Sequence, residues 1–172
     1  KWLRAEKTGL ARRFRDVVTA FEQSGDDIKL VPDLHFNAGM TKVYSLLIDG
    51  FIIYDSRVAG ALAWFVVQWM RDTEQEVVPD ALRFPCMLAK AAPGPGRQKI
   101  RNPSPGETGF PLLGGRPYVH AKWNQRASWI IEAALKAAGS STFTPDAAGS
   151  RKLEAALFMW GYDLTPYLSD RV

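Results

Sequence analysis

Hydrophobic residues recur at intervals of three and four positions in four segments of the chain, which is the spacing of amphipathic helices. The first of these stripes consists of Leu10, Phe14, Val17 and Phe21. The second consists of Val58, Leu62, Phe65, Val66 and Trp69. Small residues beside the second stripe, such as Gly60, allow close contact with a neighbouring helix. The pattern predicts a mainly α-helical fold.

The two remaining stripes lie in the second half of the chain, and a glycine follows each of them as a stop signal, Gly139 and Gly161. Residues 119–138 predict a long helix that buries Trp123, Ala127, Ile130, Ala134 and Leu135. Residues 150–160 predict a further helix with Ser150 as its N-cap, and it buries Leu153, Leu157 and Trp160. The polar run SGDD at residues 24–27 ends the first predicted helix. We interpret the arginines of that helix as a solvated face, namely Arg12, Arg13 and Arg15.

A segment without helical periodicity separates the second and third predicted helices. Residues 93–117 contain six of the 14 glycines and six of the 11 prolines, a density that no helix or central strand tolerates. The overlapping stretch 81–106 has no acidic residue and five basic ones, Arg83, Lys90, Arg97, Lys99 and Arg101. Loops of this length are uncommon in compact domains, so we expect this one either to carry function or to be disordered.

Composition limits the kinds of site that the chain can build. The 172 residues are 47% hydrophobic, which suffices for one core, and the net charge of +4 does not by itself indicate a polyanionic partner. One cysteine and two histidines exclude a cysteine-held iron–sulfur cluster and argue against zinc, so we expect no metal and no cofactor. The longest apolar run, residues 58–67, is shorter than the ~20 residues that cross a bilayer. The charged start KWLRAEKTGLARR lacks the apolar core of a signal peptide, so we expect a cytoplasmic protein without membrane contact.

The most informative stretch is FNAGMTKVYSLLIDGFIIYDSRVAGAL at residues 36–62. Gly39 lies in a predicted turn before a short apolar helix at residues 43–48, and Lys42 lies at the start of that helix. Exposed amides at such a turn are suited to holding a phosphate. A second turn signal, Asp49-Gly50, leads into an extended apolar piece that ends at Asp55, where Asp55 or Ser56 can cap the next helix.

This order of turn, lysine, helix, turn, aspartate and helix resembles the helix-hairpin-helix DNA glycosylases. It is most similar to the bacterial proteins that have an 8-oxoguanine DNA glycosylase fold. In that superfamily a hairpin with a glycine precedes the catalytic lysine, and a catalytic aspartate caps a following helix. GMTKV at residues 39–43 is similar to the hairpin end, and IIYDSRV at residues 52–58 is similar to the aspartate segment. The resemblance covers 27 residues.

The resemblance implies a hydrolase, with lyase activity in some such enzymes, that excises a damaged base such as 8-oxoguanine from double-stranded DNA. Lys42 would be the nucleophile, and Asp55 would stabilise the positive charge that develops on the sugar. The resemblance implies DNA contacts at the hairpin and at the basic loop, through Asn37, Gly39, Met40, Thr41, Arg57, Arg97, Lys99 and Arg101. The length and composition predict a single helical domain over residues 1–172 with the basic Pro/Gly-rich loop at about 93–117, and the resemblance implies a helix-hairpin-helix core at about 28–75. Such a protein would lie in the bacterial cytoplasm, associated with the nucleoid.

Other interpretations of the same residues stay open. Lys42 and Asp55 lie 13 positions apart, which is shorter than the family pattern and fits an inactive DNA-binding module with the same fold. Asp55 also fits a purely structural N-cap, and Lys42 fits a surface lysine. A helical protein-interaction domain is a third interpretation, although nothing in the sequence identifies a protein partner.

Overall fold

The structure is a computed structural model that describes residues 9–23, 31–91, 96–104 and 109–168. Within these ranges the chain forms six α-helices and one 3₁₀ helix, Asp80–Leu82. The α-helices in chain order are α1 Leu10–Gln23, α2 Met40–Leu47, α3 Ser56–Asp72, α4 Pro117–Ala138, α5 Ala147–Trp160 and α6 Thr165–Leu168. The same ranges contain no β-strand, and an isolated parallel bridge joins Cys86 and Leu112. The predicted mainly α-helical fold is confirmed.

Helix α3 is the centre of the larger hydrophobic cluster. Its Val58, Leu62 and Val66 are buried, and the small residues Ala59 and Ala63 lie beside them in the same cluster. The long helix α4 and the helix α5 supply the facing side chains, Ala127, Ile131, Leu135 and Leu157. Small residues on α3 permit close helix packing, so α3 and α5 make the most extensive helix–helix contact of the described residues.

A second hydrophobic cluster joins α1 to α2 and to the turn between them. Phe21 on α1 and Tyr44 on α2 are both buried in it. Phe36 stacks on Tyr44 with ring centroids 5.2 Å apart, and Phe51 meets Phe21 edge-on at 4.7 Å. These contacts fix the start of α2 against the body of the protein.

Several details differ from the sequence-based expectations. Phe65 and Trp69, predicted on the buried stripe of α3, are 46% and 42% exposed, because the packed face is centred on Val58, Leu62 and Val66 and leaves them at its edge. Helix α5 begins earlier than predicted, since Asp146 rather than Ser150 is its N-cap and its carboxylate accepts the Gly149 amide.

Helix α4 ends as predicted. Gly139 follows its last turn in the left-handed conformation with φ of 57°, which glycine adopts without the steric cost that a Cβ brings.

Parts of two predictions lie outside the described residues: the helix end at residues 24–27, and positions 93–95 and 105–108 of the basic loop. Up to Arg116, the described part of the 93–117 loop forms neither helix nor strand, in agreement with its glycine and proline content. No helix of the described ranges is both long and apolar enough to cross a membrane.

Candidate functional site

A cleft with a volume of about 620 Å³ opens between the N-terminal ends of α2 and α3. Loop residues around 87–90 and 97–101 form its other walls, together with the α5 side chain Phe158. Asp55 is the one acidic residue among the described residues that line it. Six lining residues are basic, namely Lys42, Arg57, Lys90, Arg97, Lys99 and Arg101. This excess of positive charge suits an anionic ligand.

Asp55 is the N-cap of α3. Its Oδ1 accepts hydrogen bonds from the Arg57 amide at 2.9 Å and from the Val58 amide at 3.2 Å. The residue is only 9% exposed, and the positive end of the helix dipole favours its negative charge. A carboxylate has two oxygens, so capping through Oδ1 is compatible with a second role for Oδ2 at the cleft.

Residues 51–54, which precede Asp55 and form neither helix nor strand, are held by side chains instead of by a neighbouring strand. The Ile52 amide donates to Ser128 Oγ at 3.1 Å, and the Ile53 amide donates to Glu154 Oε2 at 2.8 Å. The Tyr54 amide donates to Thr41 Oγ1 at 3.0 Å. Helices α2, α4 and α5 therefore all position the segment that presents Asp55.

Asn124 on α4 completes this network. Its Nδ2 donates to the Ile52 carbonyl at 2.8 Å, and its Oδ1 accepts a short hydrogen bond from the Thr41 hydroxyl. Both side chains are fully buried. Because Thr41 precedes Lys42 directly, the same pair of buried residues fixes the helix turn that carries Lys42 against the segment that carries Asp55.

His120 lies behind Asp55. Its Nε2 donates to the Tyr54 carbonyl at 2.8 Å, and its ring packs edge-on against Phe36. Burial lowers the pKa of His120, although the bond with Tyr54 and the Asp55 carboxylate act in the opposite direction. The imidazole is therefore neutral at pH 7 and serves to hold the Tyr54 backbone next to Asp55.

The turn at the start of α2 is already capped by its own chain. Asn37 Oδ1 accepts the amides of Gly39 and Met40 at 2.8 and 3.0 Å, and the Asn37 carbonyl accepts the Thr41 amide at 3.0 Å. Met40 and Thr41 are buried, whereas Asn37 and Gly39 are exposed. A phosphate at this turn would have to replace the Asn37 side chain at those amides.

The basic segment 96–104 is anchored next to the start of α3. Gly60 permits this approach, since a Cβ at that position would lie 2.7 Å from the Arg101 carbonyl oxygen. The Ile100 amide donates to Asp163 Oδ1 at 3.1 Å, and its carbonyl accepts the Leu164 amide at 2.8 Å. Burial raises the pKa of Asp163, but its hydrogen bonds from Thr165 and Ile100 outweigh that effect, so the pKa lies below its ordinary value.

Arginine side chains form the wall of the cleft around Asp55. Arg101 Nη1 donates a short hydrogen bond to Ser56 Oγ, next to Asp55 in the chain. Burial lowers the pKa of Arg101, and the neighbouring Arg57 guanidinium acts in the same direction, while Asp55 opposes both. Arg57 lies over the Phe158 ring, 4.1 Å from its centroid. These contacts keep two positive charges beside one carboxylate.

The structure brings most of the predicted site residues together. Seven of them line this cleft, namely Gly39, Lys42, Asp55, Arg57, Arg97, Lys99 and Arg101. Asn37, Met40 and Thr41 are not among its lining residues, and Thr41 instead has the buried structural role described above. Lys90 was noted only as part of the basic stretch 81–106 and not as a site residue. The sequence patterns did not single out Phe158 or Asn124, because their contributions depend on contacts between distant parts of the chain.

In the described part of the chain, no group of three or more His, Cys, Asp and Glu side chains is arranged to hold a metal ion. Cys86 is buried, and burial raises the pKa of its thiol to about 12, so it is not a reactive thiolate at neutral pH. Comparison of the chain with protein-family models, with curated proteins and with solved structures finds no match.

Proposed function

We propose that this protein is a DNA base-excision glycosylase, with Lys42 as its nucleophile and Asp55 as the carboxylate that stabilises the developing charge. The observation that carries the proposal is that Lys42 and Asp55 line one cleft together with five further basic side chains. The resemblance of residues 36–62 to the helix-hairpin-helix glycosylases adds the reaction type. In this proposal α2, the connection at residues 48–55 and α3 correspond to the helix-hairpin-helix core.

The chemistry proceeds at the sugar of a damaged nucleotide. The bond between C1′ and the base breaks, and its electron pair leaves with the base. The Lys42 amine, in its neutral form, forms a bond to C1′ and passes a proton to the departing base. The sugar ring then opens as O4′ takes a proton from water, which yields a protonated Schiff base. Asp55 stabilises the positive charge that the sugar carries during bond cleavage. The Schiff base allows subsequent cleavage of the strand.

The other basic residues have a simpler role in this proposal. Arg57, Arg97, Lys99 and Arg101 neutralise phosphates on either side of the target nucleotide, which fixes the register of the DNA without reading its sequence. Gly39 contributes a surface without a side chain at the cleft wall. Base extrusion into a pocket would then bring the sugar to Lys42 and Asp55.

Borohydride trapping tests the enzymatic role directly. The purified chain is incubated with duplexes that contain 8-oxoguanine, uracil or an alkylated base, in the presence of borohydride, which reduces a Schiff base to a stable covalent adduct. We expect an adduct with at least one lesion, its loss in Lys42→Ala, and its retention in Lys90→Ala. Lys90→Ala is the matched control because it removes a lysine from the same cleft.

A second candidate function is DNA binding without excision. The position of Lys42 favours it, because Nζ donates to the Ala38 carbonyl at 3.4 Å at the exposed rim of the cleft. Duplex binding without adduct or base release on the full lesion panel would overturn the glycosylase and support this module. Absence of duplex binding at low salt would contradict both the glycosylase and the DNA-binding module, and would favour the interpretation as a protein-interaction domain.

A further inference from the structure

A cluster of aromatic rings lies where the end of α5 and the helix α6 meet α3. Trp160 and Tyr167 stack with centroids 4.8 Å apart and planes 10° apart. Phe65 and Trp64 on α3 pack against Trp160 at 5.8 and 5.1 Å. Phe65, Trp160 and Tyr167 each stay more than one third exposed, so these rings form a surface and not a core. Exposed apolar patches of this kind mark binding surfaces.

Tyr162 follows Trp160 by two residues and contacts two basic side chains of the cleft. Lys99 Nζ lies 3.5 Å from the centroid of the Tyr162 ring, and the Arg57 guanidinium lies 4.7 Å from it. The neighbouring Lys99 ammonium group lowers the pKa of the Tyr162 hydroxyl. Arg57 and Lys99 both line the cleft. Arg57 and Trp64 are seven residues apart on α3, which is about 10 Å of helix, so the rings extend from the cleft along that helix.

We propose that this aromatic platform, formed by Phe65, Trp160 and Tyr167, stacks unpaired bases of a DNA strand whose phosphates contact Arg57 and Lys99. This inference rests on the proposed function, because it assumes that the cleft holds DNA, and it names the substrate class as DNA with a single-stranded segment beside the target nucleotide.

Charge and ring geometry together select this occupant. A nucleic-acid strand offers phosphates and flat ring faces at alternating positions, and stacking platforms beside cations are how proteins bind single strands. In a fully paired duplex each base face is covered by its neighbours, so the platform has nothing to stack on. A purely apolar protein surface would offer no anionic group to the basic side chains Arg57 and Lys99.

Anisotropy titrations of the full chain with two labelled probes test the platform. One probe is an oligothymidylate of about twelve nucleotides, within the range of single-strand site sizes. The other is an undamaged, fully paired duplex. Trp160→Ala should weaken oligothymidylate binding about tenfold, since stacking on an aromatic ring is a large part of single-strand affinity, and should leave duplex binding unchanged.

Three further variants make the result specific. Trp160→Phe retains a ring and should bind oligothymidylate close to the wild-type level, and Tyr167→Ala should show a loss like that of Trp160→Ala. The matched control is Trp129→Ala on α4, since Trp129 is 43% exposed against 37% for Trp160 and lies outside the aromatic cluster; it should have no effect. Circular dichroism checks that each variant is folded, and Tyr167→Ala carries the test if Trp160→Ala does not fold.

Oligothymidylate binding that Tyr167→Ala and a folded Trp160→Ala leave at the wild-type level would overturn the platform. A wild-type dimer in sedimentation that Trp160→Ala dissociates would also overturn the platform, because the rings would then be a contact between two copies of the chain. Binding of another protein by these rings would overturn it as well. Duplex binding and lesion excision are measured separately. If duplex binding and excision persist but the variants bind oligothymidylate like the wild type, the proposed function holds and the platform is wrong. If the wild type excises no base but Trp160→Ala still loses oligothymidylate binding, the platform holds and the proposed enzymatic function is wrong.

Discussion

Asp55 combines two roles that a single substitution to alanine would remove together. Its Oδ1 caps α3 through the Arg57 and Val58 amides, and its side chain also lines the cleft. Asparagine caps helices about as well as aspartate does but carries no charge. The pair Asp55→Asn and Asp55→Ala therefore separates helix capping from charge stabilisation.

We expect Asp55→Asn to leave the free energy of unfolding nearly unchanged and Asp55→Ala to lower it by about 1 kcal/mol. Both should lower the rate of base excision about 100-fold or more, because the developing charge on the sugar loses its stabiliser. Urea unfolding and single-turnover excision measure the two quantities. Asp146→Ala, which removes the N-cap of α5, should cost similar stability without slowing excision. Normal excision by Asp55→Asn would reduce Asp55 to a structural cap.

Individual site residues could be predicted from sequence only where the signal is local. An apolar helical stripe follows residues 55 and 56, so the sequence predicted that Asp55 or Ser56 is the N-cap, and the structure shows that it is Asp55. The role of Thr41 did not follow, because its partner Asn124 lies 83 positions away. Thr41 was predicted to contact DNA through the turn, whereas its buried hydroxyl joins α2 to the segment before Asp55.

At the scale of elements, the segment 51–54 depends on α4. A strand finds its hydrogen bonds in a neighbouring strand, but here Asn124 and Ser128 on α4 supply partners for both backbone groups of Ile52. The apolar pattern of residues 51–54 predicted a short extended piece, and in the structure these residues form neither helix nor strand. It could not predict the partners, since polar residues inside a mostly apolar helix such as α4 have no distinctive local pattern.

Replacing Asn124 with leucine should lower the free energy of unfolding by about 1–3 kcal/mol, because the Ile52 carbonyl loses the closer of its two buried donors and keeps only the Thr41 hydroxyl at 3.4 Å. We also expect a loss of excision at temperatures where the variant is fully folded, since Thr41 and Ile52 no longer fix Lys42 relative to Asp55. Chemical unfolding and single-turnover excision test both effects.

Gln125→Leu is the matched control for this substitution. Gln125 is the next residue on α4, is equally buried, and donates to the Phe21 carbonyl on α1 at 3.1 Å. It should therefore destabilise the protein without impairing excision. Equal loss of activity in both variants would indicate a general destabilisation of the fold and would contradict a specific positioning role for Asn124.

At the scale of the whole molecule, the distribution of charge matters more than the net charge of +4. The sequence located a basic stretch at residues 81–106, and the structure shows that four of its five basic side chains line the cleft that contains Lys42 and Asp55. This arrangement depends on the close approach of the Arg101 backbone to Gly60 and on the hydrogen bond from the Leu164 amide to the Ile100 carbonyl. No local pattern encodes such long-range contacts.

Salt dependence of duplex binding measures how many phosphates the cleft neutralises. The logarithm of the binding constant falls with the logarithm of salt concentration with a slope of about 0.9 per neutralised phosphate. Lys90 and Arg97 are exposed lining residues of the cleft. The double substitution Lys90→Ala with Arg97→Ala should therefore reduce the slope by up to about 1.8 if each contacts one phosphate.

Arg12→Ala with Arg15→Ala provides the control, because it removes the same charge from exposed positions on α1 that do not line the cleft. This variant should retain the wild-type slope, although the net charge of the two double variants is identical. An equal reduction in both would mean that DNA responds to the total charge of the protein and not to the cleft. A reduction confined to the cleft variant would locate the phosphate backbone beside Asp55 whether or not the protein excises a base.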